Sequence, residues 1–109
     1  MDCIIDNRKV GAELQSLESN IEKYFKAQCE KRGWLCLKFV SPSRRGVPDR
    51  LVIRSSARMA FVELKRPSGR LSRPQKAMIK RFKEFKVEVY VIWSKEEAQA
   101  LIRRWEEEG

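Results

Sequence analysis

Residues 46–65 read GVPDRLVIRSSARMAFVELK, in which two apolar runs, LVI and MAFVELK, flank a polar turn. Side chains alternate between the two faces of a strand, so Glu63 and Lys65 point to the same face of the second run. If the two runs pair as a hairpin, Asp49 at the start of the first run approaches Glu63 at the end of the second. This hairpin is the centre of the predicted fold, and its open end is the candidate site.

A pair of neighbouring carboxylates has few stable arrangements. Two carboxylates held close together resist ionising together unless a cation lies between them. Oxygen ligands without histidine or thiolate favour Mg2+ or Mn2+, and a lysine beside such a site can orient or deprotonate a water or balance phosphate charge. Two simpler interpretations stay open: Glu63 and Lys65 can form a same-face ion pair, and Asp49 after Pro48 can be an ordinary turn residue.

The segments on either side of the hairpin supply the rest of an α/β domain. Apolar residues spaced by three and four predict an amphipathic helix from Leu14 to near Gly33. Residues 1–15 show no clear period and are predicted to be an arm or lead-in to a single domain, residues 16–109. The remaining predicted elements are a strand at Trp34–Val40, a helix opened by Pro74, a strand at Val87–Trp93, and a helix after a capping box at Ser94–Glu97.

The order of these elements, α-β-β-β-α-β-α, defines the predicted fold class. It is a mixed sheet of about four strands flanked by helices. The length of 109 residues is that of one domain with one core. The chain's three tryptophans, Trp34, Trp93 and Trp105, fall in strand or helix stripes, which favours core packing over base stacking.

Positive charge is concentrated around the hairpin. Residues 38–86 contain fifteen basic and three acidic side chains, whereas residues 1–37 are neutral overall and residues 87–109 are net negative. With a total charge of +9, this distribution points to a polyanionic partner, although a solvated lysine-rich face is the alternative. Most protein contacts to DNA go to phosphate, so recognition of shape rather than sequence is expected.

Composition excludes several function classes. The chain has no histidine, which removes histidine catalysis and zinc sites with histidine ligands. Its three cysteines are odd in number and form no CxxC pair, so we expect no disulfide framework and a reducing, cytoplasmic location. No apolar run approaches the ~20 residues of a membrane span, and no secretory signal pattern opens the chain.

The motif Gly46-Val47-Pro48-Asp49-Arg50, followed by Glu63-Leu64-Lys65 and then by Gln75 at a helix start, resembles the PD-(D/E)XK nucleases. It is most similar to their VRR-NUC branch, and the resemblance covers about residues 17–104. The resemblance implies a restriction-endonuclease-like core and a metal-dependent phosphodiesterase. It implies that Asp49, Glu63 and the Leu64 carbonyl hold Mg2+ or Mn2+ and that Lys65 positions the attacking water.

The same resemblance suggests two further site residues. An acid on the first helix often joins such sites, and Glu22 matches that position best, with Glu18 one turn earlier as the fallback. The alternative for Glu22 is a capping box with Ser19 or a solvated position. Gln75 is similar to a family glutamine that supports the site or touches the phosphate backbone, and its alternative is an ordinary surface residue.

Basic residues on both sides of the predicted metal site complete the candidate DNA surface. They are Arg44, Arg45, Arg50, Arg66, Arg70, Arg73 and Lys76.

Stand-alone domains of this size resemble phage and bacterial homodimeric Holliday-junction resolvases, so branched or junction DNA is the expected partner and no organic cofactor or membrane is expected. The alternatives are a flap or general structure-specific nuclease and a non-catalytic DNA-binding module.

Overall fold

The computed structural model describes residues 7–55 and 58–108, with side chains from residue 17 onward. The order of the elements is the predicted one; three strands are shorter than predicted by one to three residues, and the strand predicted as LVI is longer by one residue, Arg50. The elements are α1 (Asn7–Lys31), β1 (Leu35–Lys38), β2 (Arg50–Ile53), β3 (Met59–Leu64), α2 (Arg73–Glu84), β4 (Val89–Ile92) and α3 (Lys95–Glu107).

The four strands form one mixed sheet in the order β1-β2-β3-β4. Strands β1, β2 and β3 are antiparallel neighbours, which confirms the predicted hairpin. Strand β4 runs parallel to β3, because α2 carries the chain back to the starting end of the sheet. The mixed α/β fold class predicted from the sequence is therefore confirmed.

Helix α1 begins earlier than the sequence analysis predicts. It starts at Asn7 rather than near Leu14, so residues 7–15 of the predicted arm are helical, while residues 1–6 lie outside the described part of the chain. The overlooked signal is Val10, which lies four residues before Leu14 and continues the apolar spacing. The boundary between an arm and the domain stays a prediction.

Helix α1 ends in a turn that leads directly into the sheet. Gly33 has a φ of 77°, its N–H donates to the Glu30 carbonyl, and the N–H of Trp34 donates to the Cys29 carbonyl. These two bonds form a Schellman motif, in which glycine adopts the left-handed conformation at low cost. The turn places β1 against the helix that precedes it.

The main core lies between one face of the sheet and helices α1 and α3. Val52, Val62 and Leu64 point to this face and are buried against side chains of both helices. Trp105 of α3 is 1% exposed, and Trp34 packs edge-on against it with ring centroids 5.9 Å apart. The predicted core packing of these two tryptophans is confirmed.

The other face of the sheet is covered by α2. Phe61 lies between Phe39 and Phe82, with ring centroids 5.3 and 4.9 Å away. No residue of α2 is fully buried, and Phe85 lies just past the end of the helix and is 69% exposed. This thinner layer carries the residues that support the candidate site.

Two smaller features complete the fold. Ser94 caps α3 as predicted, but the Glu97 carboxylate accepts from the N–H of Trp93 rather than that of Ser94, so the predicted capping box is only half formed. In the part of the chain that the structure describes, no helix is long and apolar enough to cross a membrane.

Candidate active site

The hairpin register brings the two motif carboxylates face to face. Arg50 of β2 pairs with Val62 of β3, so Asp49, one residue earlier, lies opposite Glu63, one residue later. Pro48 is fully buried and anchors the chain just before Asp49. The backbone carbonyl of Asp49 also accepts from the N–H of Phe39 at 2.6 Å, which ties it to the β1 side of the sheet.

Glu63 is the one buried charged residue in the described part of the chain, with 2% of its surface exposed. Burial, the adjacent charge of Asp49 and a hydrogen bond between the two carboxyl groups together raise the pKa of Glu63 to about 8. Glu63 therefore holds a proton near neutral pH when no cation is bound. Such a shift in a buried, paired carboxylate is typical of functional sites.

Two further charges act on Glu63. The Lys65 ammonium is near enough to lower the pKa of Glu63 in part, as expected from side chains on the same face of β3. The Glu18 carboxylate of α1 acts in the opposite direction and raises it. The charges of Asp49 and Glu18 thus raise the pKa of Glu63, and the charge of Lys65 lowers it.

Gln75 connects the start of α2 to the buried carboxylate. Its Nε2 donates to Glu63 Oε1 at 2.8 Å, while its Oε1 accepts from the N–H of Ser72 at 2.8 Å. The Ser72 hydroxyl in turn accepts from the N–H of Gln75, which completes a capping box. The side-chain amide therefore has both ends committed, and the orientation of Glu63 depends on where α2 begins.

Gly46 lets the loop before Asp49 lie directly on the start of α2. It has a φ of 82°, and a Cβ at this position would overlap the backbone of Pro74 and lie 2.6 Å from the Gln75 nitrogen. Only glycine fits both the left-handed backbone and the contact. The glycine of the GVPD motif is thus a packing requirement that brings Asp49 and Gln75 to the same site.

Glu22 lies in a different environment from the one that the resemblance implies. Its Oε1 accepts from Arg50 Nη2 at 2.7 Å, Arg50 Nε at 3.1 Å and Lys38 Nζ at 3.2 Å. Burial raises its pKa, but the hydrogen bonds from Arg50 and Lys38 outweigh burial and hold the pKa below its usual range. Of the two helix acids considered, Glu18 is the one whose charge reaches Glu63. A metal ligand on α1 stays a prediction.

Arg50 likewise differs from the other predicted DNA contacts. Its side chain is 12% exposed and its guanidinium is engaged by Glu22. Arg50 follows Asp49 in the chain but points to the opposite face of β2, because strand side chains alternate. The structure therefore gives Arg50 an ion pair with α1 where the sequence analysis predicted a phosphate contact.

The remaining basic residues frame the site as the sequence suggests. Arg44 and Arg45 are exposed in the loop before Asp49, and Arg66 is partly buried immediately after Lys65. Three more exposed basic residues lie in the loop before α2 or in its first turn: Arg70, Arg73 and Lys76. Their contact with DNA stays a prediction.

The donor set at the hairpin end fits a hard divalent cation. A buried carboxylate pair with a raised pKa is destabilised by its own repulsion, and a cation between the oxygens removes it. The described residues contain no group of three acidic, cysteine or histidine side chains arranged to ligate a metal, and Asp49 and Glu63 stay predicted metal ligands. The Leu64 carbonyl stays a predicted ligand.

The sequence analysis did not predict the roles of two site residues, Ser72 and Gly46. Ser72 begins an S-x-x-Q pattern, the signature of a capping box, directly before the predicted helix. Gly46 belongs to the GVPD motif, but its close contact with Pro74 joins segments 28 residues apart. The capping role of Ser72 could have been predicted from the sequence pattern, whereas the contact of Gly46 with Pro74 is seen only in the tertiary structure.

Comparison with known proteins gives the class of this chain. The VRR-NUC domain family matches residues 9–96. The chain therefore belongs to the VRR-NUC domain family, within the PD-(D/E)XK superfamily, as the motif suggested.

Two individual relatives agree with that class. A solved structure described as a VRR-NUC domain superposes with a TM-score of 0.73 and 31% identity, covering 79% of this chain and 94% of that one. "Putative nuclease p44" of Acyrthosiphon pisum secondary endosymbiont phage 1 is 50% identical over 50 residues. These residues are 46% of this chain and 54% of the relative, so the match spans about half the length of that curated protein.

Proposed function

We propose that this chain is a metal-dependent DNA endonuclease that hydrolyses phosphodiester bonds in branched DNA. The observation that carries the proposal is the buried Glu63 carboxylate, which is held against Asp49 and oriented by Gln75 beside Lys65. A buried carboxylate with an uncompensated like charge lowers stability, and such an arrangement is typical of sites that bind a cation. The nuclease name of the phage relative is consistent with this chemistry.

Each side chain has a defined task in the proposed reaction. Asp49, Glu63 and the Leu64 carbonyl would hold Mg2+ or Mn2+, which supplies Lewis-acid stabilisation of the phosphoryl oxygens and a more acidic water. Lys65 orients the attacking water and balances charge on the phosphate. Gln75 keeps Glu63 Oε1 in place through its 2.8 Å hydrogen bond. The exposed arginines around the site hold the DNA backbone.

A cleavage assay on a panel of DNA substrates tests the proposal. Purified protein is incubated with a four-way junction, a 5′ flap, a single strand and a linear duplex, in Mg2+ and in EDTA. We expect metal-dependent nicking with the four-way junction preferred, and binding with little turnover in Ca2+. Preference for the flap would favour a flap nuclease, and binding to all substrates without cleavage would indicate a non-catalytic DNA-binding module.

The substrate also leads to a proposal about assembly. A four-way junction is resolved by two symmetric nicks, and this chain supplies one carboxylate site, so a two-fold homodimer would provide the second. Light scattering should give about twice 12.9 kDa at micromolar concentration. Heterodimers with one Glu63→Gln subunit should nick a junction once and rarely resolve it. A monomer that cleaves four-way junctions at paired sites would contradict the dimer.

The phosphate-reading surface is tested by salt. The logarithm of the DNA affinity should fall linearly with the logarithm of the salt concentration, with a slope of about 0.9 for each phosphate neutralised. Replacing Arg44 and Arg45 together should flatten the slope by up to about 2. A salt-independent affinity would contradict a phosphate-reading surface.

A further inference from the structure

A second basic cleft lies at the opposite end of the sheet from Asp49 and Glu63. It has a volume of about 330 Å3, within the range of small-ligand sites. Arg54, which follows β2, lies five residues from Asp49, or about 17 Å along the strand. The residues that line this cleft include Arg32, Trp34, Arg54, Arg58, Trp105 and Glu106.

The Arg54 side chain is almost fully buried, and one of its hydrogen-bond donors has no partner among the described residues. Its side chain is 5% exposed, and its guanidinium carbon lies 4.6 Å above the centre of the Trp105 ring. Its Nη1 lies 3.5 Å from a Glu108 carboxylate oxygen. Its Nε has no hydrogen-bond partner among the described residues. A guanidinium carries five N–H donors, and the Nε–H donor of Arg54 is buried without a partner among the described residues.

The neighbouring carboxylates do not neutralise the cleft. Glu108 is shared by Arg54, Arg58 and Arg104, whose nearest nitrogens lie 3.5, 3.8 and 3.4 Å from its carboxylate oxygens. Each of these contacts is longer than a charge-assisted hydrogen bond.

The second acid in the cleft serves a single arginine. Glu106 lies 3.2 Å from Arg32 Nε, yet that nitrogen also has no hydrogen bond of good geometry within residues 7–55 and 58–108. Arg32 Nη1 also donates to Gln28, and Arg58 Nη1 donates to the Glu108 backbone carbonyl at 3.0 Å. Among the described residues, the three lining arginines still outnumber the carboxylates of Glu106 and Glu108, so the cleft has an excess of positive charge.

We propose that this cleft binds the oxyanion of a phosphate group. Guanidinium forks match phosphate oxygens, and they are more weakly hydrated than ammonium groups and so suit a partly buried site. The unpartnered Nε–H of Arg54 and the half-exposed guanidinium of Arg58 would supply the contacts. The phosphate can belong to a DNA backbone that extends beyond the catalytic end or to a free phosphate ligand. This inference does not rest on nuclease activity.

The chain's tryptophans give a direct test of the site. Trp34 and Trp105 line the cleft, whereas Trp93 follows β4 at the catalytic end of the sheet. Inorganic phosphate is titrated into 15N-labelled protein at constant ionic strength, with chloride as the exchanged anion. We expect the indole N–H signals of Trp34 and Trp105 to shift together and to saturate with one Kd. A response at Trp93 alone, or shifts without saturation, would overturn the proposal.

A pair of arginine variants separates specific binding from general attraction. Arg58→Ala removes a lining guanidinium that is 45% exposed, and we expect it to weaken phosphate binding about tenfold. Arg81→Ala removes an equally charged side chain that is 61% exposed on α2, and it should leave the Kd unchanged. Equal weakening by both variants would show that net charge alone attracts the anion, and would contradict a built site.

A DNA titration in EDTA identifies the source of the phosphate. If duplex DNA shifts Trp34 and Trp105, and Arg58→Ala flattens the salt dependence of DNA affinity by about 0.9, the cleft holds a backbone phosphate. If inorganic phosphate shifts both signals and DNA does not, the ligand is a free phosphate. Failure of both probes to shift them overturns the proposal, while the nuclease proposal is judged separately by cleavage.

Discussion

Glu63 and Glu22 lie at the same end of the sheet in opposite electrostatic environments. Glu63 is buried beside Asp49, and its pKa is raised to about 8 by burial and by that like charge. Glu22 is partly exposed and accepts three hydrogen bonds from Arg50 and Lys38, which hold its pKa below the usual range. The Glu63 carboxylate is destabilised by its surroundings, whereas the Glu22 carboxylate already has its cationic partners.

The alternation of side chains along β2 produces this difference. Asp49 and Arg50 are consecutive, so one meets Glu63 on the α2 side and the other meets Glu22 on the α1 side. A single strand end therefore builds both a strained carboxylate pair and a satisfied ion pair. The contrast separates the acid suited to chemistry from the acid suited to holding α1 on the sheet.

The largest expected effect is on cleavage. Glu63→Gln or Asp49→Asn should lower the single-turnover rate in Mg2+ by about three orders of magnitude, because each removes a cation ligand. DNA binding should stay the same or improve, since negative charge is lost near phosphate. Glu22→Gln is the matched control and should keep the rate within about fivefold. Equal loss in all three variants would abolish the distinction between the two acids.

The next effect concerns the packing that builds the Glu63 side. Gly46→Ala should lower the free energy of unfolding by about 3 kcal/mol, because the new Cβ meets the α2 backbone and the backbone has a positive φ. Gly33→Ala is the control: its φ is also positive, but nothing lies within 4 Å of the added carbon. It should cost about 1 kcal/mol in chemical denaturation. Equal costs would show that strain alone matters.

The sequence could predict the Glu63 side of this comparison better than the Glu22 side. Asp49, Glu63 and Lys65 belong to one hairpin, so local alternation of side chains is enough to bring them together. The identity of the helix acid depends on where α1 crosses the sheet. Glu18 and Glu22 are one helical turn apart and share a face, so spacing alone does not choose between them.

Two other features could not be predicted for the same physical reason. Arg50 is among the predicted DNA contacts, but the structure pairs it with Glu22, 28 residues upstream on α1. The second cleft draws Arg32, Arg54 and Trp105 from three distant segments with no motif. Element types and order follow from local patterns, whereas such contacts depend on tertiary packing.

Gln75 and Ser72 provide a finer test of how Glu63 is held. Both belong to the capping box of α2, but of the two only Gln75 contacts Glu63. Gln75→Ala should lower cleavage by about 10- to 100-fold, as for other residues that orient a metal ligand. Ser72→Ala loses a cap bond of similar worth and should lower stability by about 1 kcal/mol with little effect on the rate. Parallel losses of rate would indicate that the cap, rather than the Glu63 contact, matters.

The raised pKa of Glu63 predicts how metal-free stability changes with pH. Since the folded pKa of about 8 exceeds the ordinary value of 4.5, the folded state holds the proton more tightly than the unfolded state. Stability in EDTA should therefore fall as pH rises from about 5 to 8, by about 3 to 4 kcal/mol. Glu63→Gln should flatten this slope in thermal unfolding. A slope unchanged by the substitution would mean that Glu63 is not the titrating group.

The smallest expected effect is on the Glu22 side, and it has the opposite sign. Because Arg50 and Lys38 lower the folded pKa of Glu22, its contribution is present above the ordinary carboxyl pKa and is lost as pH falls through the folded value. Glu22→Gln should cost about 1 kcal/mol at pH 7, as expected for a partly exposed ion pair. That deficit should shrink as pH falls through the lowered folded pKa, below which the wild-type carboxylate is protonated as well.

Charge reversal offers a stricter version of the same test. In the double variant Glu22→Arg with Arg50→Glu the pair is exchanged, and part of the stability lost in either single variant should return if the ion pair is what matters. Cleavage by the double variant should stay measurable, because neither side chain forms a hydrogen bond or ion pair with Glu63 or Asp49 among the described residues. A double variant that regains stability yet loses cleavage completely would place Glu22 or Arg50 in the reaction, and the two carboxylates would then form one site.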